Sequence, residues 1–92
     1  MHSQRYDIIR ARLNATLQPA ALVLEDESHL HAGHAGAEGS RGHYRVHIVS
    51  DRFAGLRPIA RHQLIYRSLG ELMQTDIHAL SITAQTPEEA RD

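Results

Sequence analysis

Eight histidines and no cysteine in 92 residues bound the chemistry open to this chain. Five of the eight, His29, His31, His34, His43 and His47, fall between Glu27 and Val49, a density that suggests metal binding. Imidazole is a neutral nitrogen donor suited to zinc, copper, iron and nickel. Without a thiol, the chain cannot build a thiolate site or a disulfide by itself. His29, His31 and His34 stand in a run of Gly, Ala and Ser from Ser28 to Ser40 with no apolar periodicity, and the run reads as an exposed loop. His43 and His47 follow in a strand-like stretch, and His62 and His78 stand alone further on. A site using those residues has to be assembled by the fold. His2 is terminal and carries no signal.

The elements that would do this can be read from spacing. Tyr6, Ile9, Leu13 and Leu17 recur at helical intervals, so a helix is expected over 4–17, stopped by Pro19. Leu22, Val23 and Leu24 mark a strand over 21–26. A second strand, 43–50, alternates: Tyr44, Val46 and Ile48 share one face, Arg45, His47 and Val49 the other, which leaves His43 and His47 exposed. These two strands should pair as an antiparallel hairpin. Pro58 suits the first turn of a helix, and Ile59, His62, Tyr66, Leu69 and Met73, with Ile65 and Leu72 beside them, extend an apolar stripe over 58–73. On that stripe His62 reads as a half-buried packing residue. In a last strand, 77–84, His78, Leu80, Ile82 and Ala84 share one face by period two. Thr86-Pro87-Glu88-Glu89 has the pattern of a capped helical turn. The order predicts an α+β sandwich of two layers, with both helices on one face of three strands, as a single domain over 1–92.

A domain of this size buries a modest core and leaves little room for a deep pocket, which favours a binding or adaptor role. Nucleophile elbows, phosphate-cradling glycine motifs and His-Glu-x-x-His are all absent from the sequence, so no enzyme is expected. All ten basic residues are arginine and the formal net charge is −1, a balance that argues against a protein that lives by wrapping nucleic acid. Even so, Arg52, Arg57, Arg61 and Arg67 could form a local patch for phosphates or other anions. No stretch reads as a signal peptide or membrane span, so a cytoplasmic protein without membrane contact is expected.

The order and spacing of several short motifs resemble the BolA family over nearly the whole chain. They are Asp26-Glu27-Ser28 leading into the His-bearing loop, His43-Tyr44-Arg45-Val46 with Ile48-Val49-Ser50, and Arg52-Phe53-Ala54-Gly55. Arg61-His62-Gln63 with Ile65-Tyr66, and Ile77-His78-Ala79-Leu80-Ser81-Ile82, complete the set. Gln63 replaces a common arginine, and the loop from Ser28 to His43 is longer than in many members. The resemblance implies a class II KH-like fold of order α-β-β-α-β with a short helical turn at the end. It also implies a heterodimeric partnership with a monothiol glutaredoxin, in which the two proteins jointly hold a 2Fe-2S cluster and the partner brings in glutathione. By resemblance, His78 is one ligand and a loop histidine the other; His31 matches that position best, with His34 the alternative. Cluster would not be held tightly by the isolated chain, which is expected as a monomer or weak homodimer. Without it, the loop from His29 to Gly42 is expected to be mobile, since little apolar surface could anchor it.

Nucleic-acid binding is the competing expectation, because KH-like folds bind single strands and members of the family are linked with transcription control. A KH domain clamps the backbone with a GXXG loop. Here Gly55 is followed by Leu56-Arg57-Pro58, and the clamp is missing. Arg52, Arg57, Arg61 and Arg67 would have to contact DNA without it, and the same patch would equally serve glutathione carboxylates.

Overall fold

A computed structural model describes residues 4–28 and 41–91. The element order is α1 (Gln4–Leu17), β1 (Ala21–Asp26), β2 (Gly42–Val49), α2 (Pro58–Leu69), α3 (Leu72–Thr75), β3 (Ile77–Gln85) and α4 (Pro87–Ala90), with a 3-10 turn at Asp51–Phe53. The strands form one sheet in the order β1-β2-β3, with β1 antiparallel to β2 and β2 parallel to β3. α1 packs on β1 and α2 on β3, and the two helices touch each other. Ile9 and Leu13 of α1, Ile65 and Leu69 of α2, and Val46 and Ile48 of β2 are fully buried where these layers meet. Val23, Arg45, His47, Ser81 and Thr83 stand exposed on the opposite face of the sheet. The expected two-layer α+β sandwich of order α-β-β-α-β is therefore present. None of the described helices is long and apolar enough to cross a membrane. The segment from His29 to Ser40, on which the expectation of a mobile loop falls, lies outside the described residues.

α1 and β1 form where periodicity puts them, and Tyr6, Ile9, Leu13 and Leu17 are the buried residues of α1. The long helix expected over 58–73 is instead broken. Gly70 adopts φ 54°, a left-handed conformation open to glycine, and its N–H donates to the Tyr66 carbonyl. Arg12 then reaches across from α1, its Nη1 donating to the Leu69 and Ser68 carbonyls at 3.1 and 3.4 Å and satisfying the end of α2. The buried stripe is also rotated from the expected one. Ile65, Leu69 and Leu72 face the core, whereas Ile59 is 71% and Tyr66 41% exposed.

The crossover from β2 to the parallel β3 is held by two polar residues. Ser50 is fully buried; its Oγ donates to the Leu17 carbonyl at 2.7 Å and accepts from the Arg52 N–H, while its own N–H donates to the Gln85 carbonyl. Arg61, with a side chain only 12% exposed, donates to the carbonyls of Leu56 and Ala84 and to both oxygens of Glu89. Glu89 in turn accepts from the Thr86 N–H, and Thr86 Oγ1 accepts from the Glu89 N–H, so the capping box expected from the sequence is complete in α4.

The Arg61 guanidinium, with help from the Thr86 N–H, holds the Glu89 carboxyl well below the ordinary carboxylate value of 4.5, at about 2. Ionised Glu89 therefore contributes stability that is fully present above pH 4.5 and is lost as pH falls toward 2. Glu89→Gln should lower the melting temperature at neutral pH, and the gap from the parent should close across that acidic window. Thermal unfolding as a function of pH reads this directly; melting curves that stay parallel down to the acid limit would remove the assignment.

Candidate functional site

Three segments meet at one end of the sheet: the end of β1, the start of β2, and the turn from α3 into β3. Gly42 opens β2 and donates its N–H to the Asp76 carbonyl at 2.9 Å. A Cβ at this position would stand 2.7 Å from Ser28 Oγ and 2.8 Å from the Tyr44 ring, so glycine is required for the close approach. The approach lets Ser28 Oγ accept the His43 N–H at 3.1 Å. Asp76 is itself tied to α1 through Arg5, at 3.3 Å, and hydrogen bonds from Thr75 and then Arg5 hold its carboxyl below the usual range.

The register slips at this point. Gly42 lies opposite Ile77 but His43 lies opposite Ala79, so β3 carries one extra residue, and that residue is His78. A bulge re-aims side chains and is frequent beside functional sites. Ile77 enters the core, 1% exposed, and His78 turns outward, away from the partly buried face of Leu80, Ile82 and Ala84 that its period-two spacing shares. The strict period of two is broken by the bulge. On the outer side the His78 ring comes to 5.0 Å from the His43 ring, centroid to centroid, with the planes at 51°. His43 is accordingly half-buried rather than exposed as its strand pattern suggested.

Charge surrounds the pair. Arg41 Nη2 lies 3.3 Å from His78 Nδ1, and its Nη1 donates to the Gln74 carbonyl at 3.3 Å. Arg45, next on the same face as His43, pairs with Glu27 at 3.0 Å and Glu25 at 3.8 Å. His47 is engaged separately, with Nε2 2.6 Å from Gln85 Oε1, and His62 is half-buried on α2 as expected. His31 and His34 lie outside the described residues, as does His29. Among the described residues no group of three or more His, Cys, Asp or Glu could hold a metal ion. The described part of the chain thus offers a pair of imidazoles on an open rim, and the remaining ligands of any metal site must come from elsewhere.

The four arginines do not form one patch. Arg61 is engaged in its internal network, and its cation lies over the Phe53 ring at 6.0 Å, so it is not a free anion contact. Arg52 is exposed and donates to Gln18 at 2.9 Å. Arg57, at the N-cap of α2, and Arg67 are exposed. Arg61 and Arg67, six residues apart on α2, stand roughly 120° from each other around the helix at about 100° per residue.

A family model described as BolA-like protein matches residues 13–89. The chain belongs to the BolA family. It is 45% identical over 85 residues to the protein named BOLA1, chloroplastic, of Arabidopsis thaliana, covering 89% of this chain and 53% of that one. It is 41% identical over 83 residues to a Vibrio cholerae protein named DNA-binding transcriptional regulator BolA, covering 90% of this chain and 76% of that one. Among solved structures, the BolA domain of SufE1 from Arabidopsis thaliana superposes with a TM-score of 0.86 at 42% identity, covering 97% of this chain and 99% of that domain. The chain spans between about half and three fifths of the length of BOLA1 and of the mouse BolA-like protein 1, at 53% and 59%.

His78 stands out in the sequence, whereas Arg41, Gly42 and the contact of His43 with His78 emerge only from the fold. The Gly-His step at the head of β2 was visible, but its meaning depends on a parallel neighbour that arrives more than thirty residues later. Gly42→Ala tests the arrangement. Overpacking of this kind costs about 1–3 kcal/mol, which urea unfolding would measure, and the His43 and His78 ring NMR signals should shift together as the bulge relaxes. Unchanged stability with unchanged ring signals would show that the tight approach is not what sets the pair.

Proposed function

We propose that this BolA-family chain is a non-catalytic partner of a monothiol glutaredoxin, and that the two share a 2Fe-2S cluster in cluster trafficking or iron-dependent regulation. The observation that carries this reading is the placement of His78 on the open side of a bulge, beside His43, in a chain without cysteine. A 2Fe-2S cluster needs four ligands, normally thiolates, and imidazole is the known substitute on one iron. The residues fit half of such a shell: nitrogen donors only, grouped on an exposed rim that a second protein can reach. A thiolate-bearing partner has to supply the other half, through its own cysteine and bound glutathione. A cluster ligated on one iron by imidazole has a higher reduction potential than an all-thiolate one, which suits handover or sensing better than low-potential electron transfer.

In this reading His78 is one ligand and His31 the other, with His34 as its alternative. His43 is a third candidate, brought forward by its contact with His78. The partner surface comprises the β1–β2 connection, the start of β3 and the α3 turn. A cytoplasmic setting, where the glutaredoxin and reduced glutathione are abundant, fits a chain that has no thiol to protect.

DNA binding is the second reading, favoured by the printed name of the Vibrio cholerae relative. It would rest on Arg52, Arg57 and Arg67, since Arg61 is engaged internally.

The test is a titration of a glutaredoxin-bound 2Fe-2S cluster, with glutathione, by this protein and by His78→Ala, followed by visible circular dichroism. A new spectrum that saturates at one chain per glutaredoxin and is lost in the variant is expected. Spectra that ignore both proteins would remove the cluster role and leave DNA binding, read by its salt dependence, as the surviving proposal.

A further inference from the structure

Arg41 has no role in the sheet or the core, yet its guanidinium bridges the Gln74 carbonyl and His78 Nδ1, each at 3.3 Å. Arginine has only donors. A contact between Nη2 and Nδ1 is therefore a hydrogen bond only when Nδ1 is the acceptor, and neutral His78 then carries its proton on Nε2. Both ring nitrogens are committed: one lone pair is directed at a cation, and the other nitrogen bears a hydrogen.

We infer that Arg41 is a selectivity residue, which denies the His43–His78 pair to bare divalent cations while leaving it open to a cluster of low net charge. A metal ion has two routes to His78. At Nδ1 it must displace Arg41. At Nε2 it drives the proton to Nδ1, where one N–H then faces another. Either route breaks the Arg41 contact and leaves a dication beside a guanidinium on a rim where the carboxylates of Glu25 and Glu27 are already paired with Arg45 and that of Asp76 with Arg5. A cluster in which ferric charge is balanced by sulfide and thiolate carries no net charge, and the like-charge penalty does not apply to it. The released guanidinium can then turn to a carboxylate of glutathione or of the partner protein. The same arrangement answers a problem specific to this chain: a rim with two imidazoles and no thiol offers nitrogen donors to zinc as well as to a cluster. The purpose assigned to Arg41 rests on the cluster reading above, whereas its effect on cations does not.

The experiment uses the full chain and zinc ion alone. Long-range proton–nitrogen NMR of the imidazoles at about pH 8, where an ordinary histidine is neutral, reads the His78 tautomer in the parent, in Arg41→Met and in Arg41→Lys. Zinc titration, followed at the His78 ring itself, then gives the affinity of this site. The parent should show His78 only as the Nε2–H form and bind zinc weakly there. Arg41→Met should admit the Nδ1–H form and bind zinc about twofold to tenfold more tightly, the range expected for loss of one ordinary hydrogen bond at an exposed site; Arg41→Lys, which keeps the charge, should remain close to the parent. Equal zinc affinity in the parent and Arg41→Met overturns the inference, whatever the tautomer does. A negative glutaredoxin titration together with tighter zinc binding by Arg41→Met would leave cation exclusion standing and remove the cluster reading instead.

Discussion

The missing side chain of Gly42 is the constraint on which the candidate site depends. With no Cβ, β2 can start within contact distance of Ser28 and the Tyr44 ring, donate its first N–H to the Asp76 carbonyl, and pass its next N–H to Ser28 Oγ. The same tight start leaves β3 with one residue too many opposite Gly42 and His43. Burial decides which residue enters the core, since Ile77 gains from leaving water and an imidazole there would need a buried partner. His78 is turned out as a result and meets His43.

Parallel strands need a crossover, and this one is made secure by polar groups rather than by apolar bulk. Ser50 joins the end of α1, the end of β2 and the end of β3 through one buried hydroxyl and one backbone N–H. Arg61 ties the turn before α2 to β3 and α4. In a small domain with a modest core, satisfied networks of this kind specify one arrangement of the layers. Arg12 and Arg5 act similarly at the other end, one closing α2 and the other holding Asp76 at the entry to β3. Three of the ten arginines thus bond within the frame and are not free for outside anions.

The frame presents a rim, not a pocket. Two imidazoles and a guanidinium lie at one end of the sheet, and among the described residues no helix covers the face that carries them. In the proposed reading a second molecule completes the site. Nitrogen-only donors set what that molecule must bring, because a metal cluster that prefers sulfur has to find its thiolates outside this chain.

Much of this was legible in the residues themselves. Periods of 3.6 and two located α1, β1 and β2; the Thr86 to Glu89 pattern identified the capping box; and the order of short motifs around His43, Arg61 and His78 pointed to the BolA family. These signals are local, since helix faces, strand alternation and caps act over a few neighbouring residues. The break at Gly70, the internal engagement of Arg61, the bulge at His78 and the contact of Arg41 with that ring were decided only in the tertiary structure. Each depends on groups far apart in the chain, brought together when β3 closes in parallel beside β2. Local pattern tells a residue which side of its own element it occupies, whereas register between strands and competition for burial determine what stands opposite it.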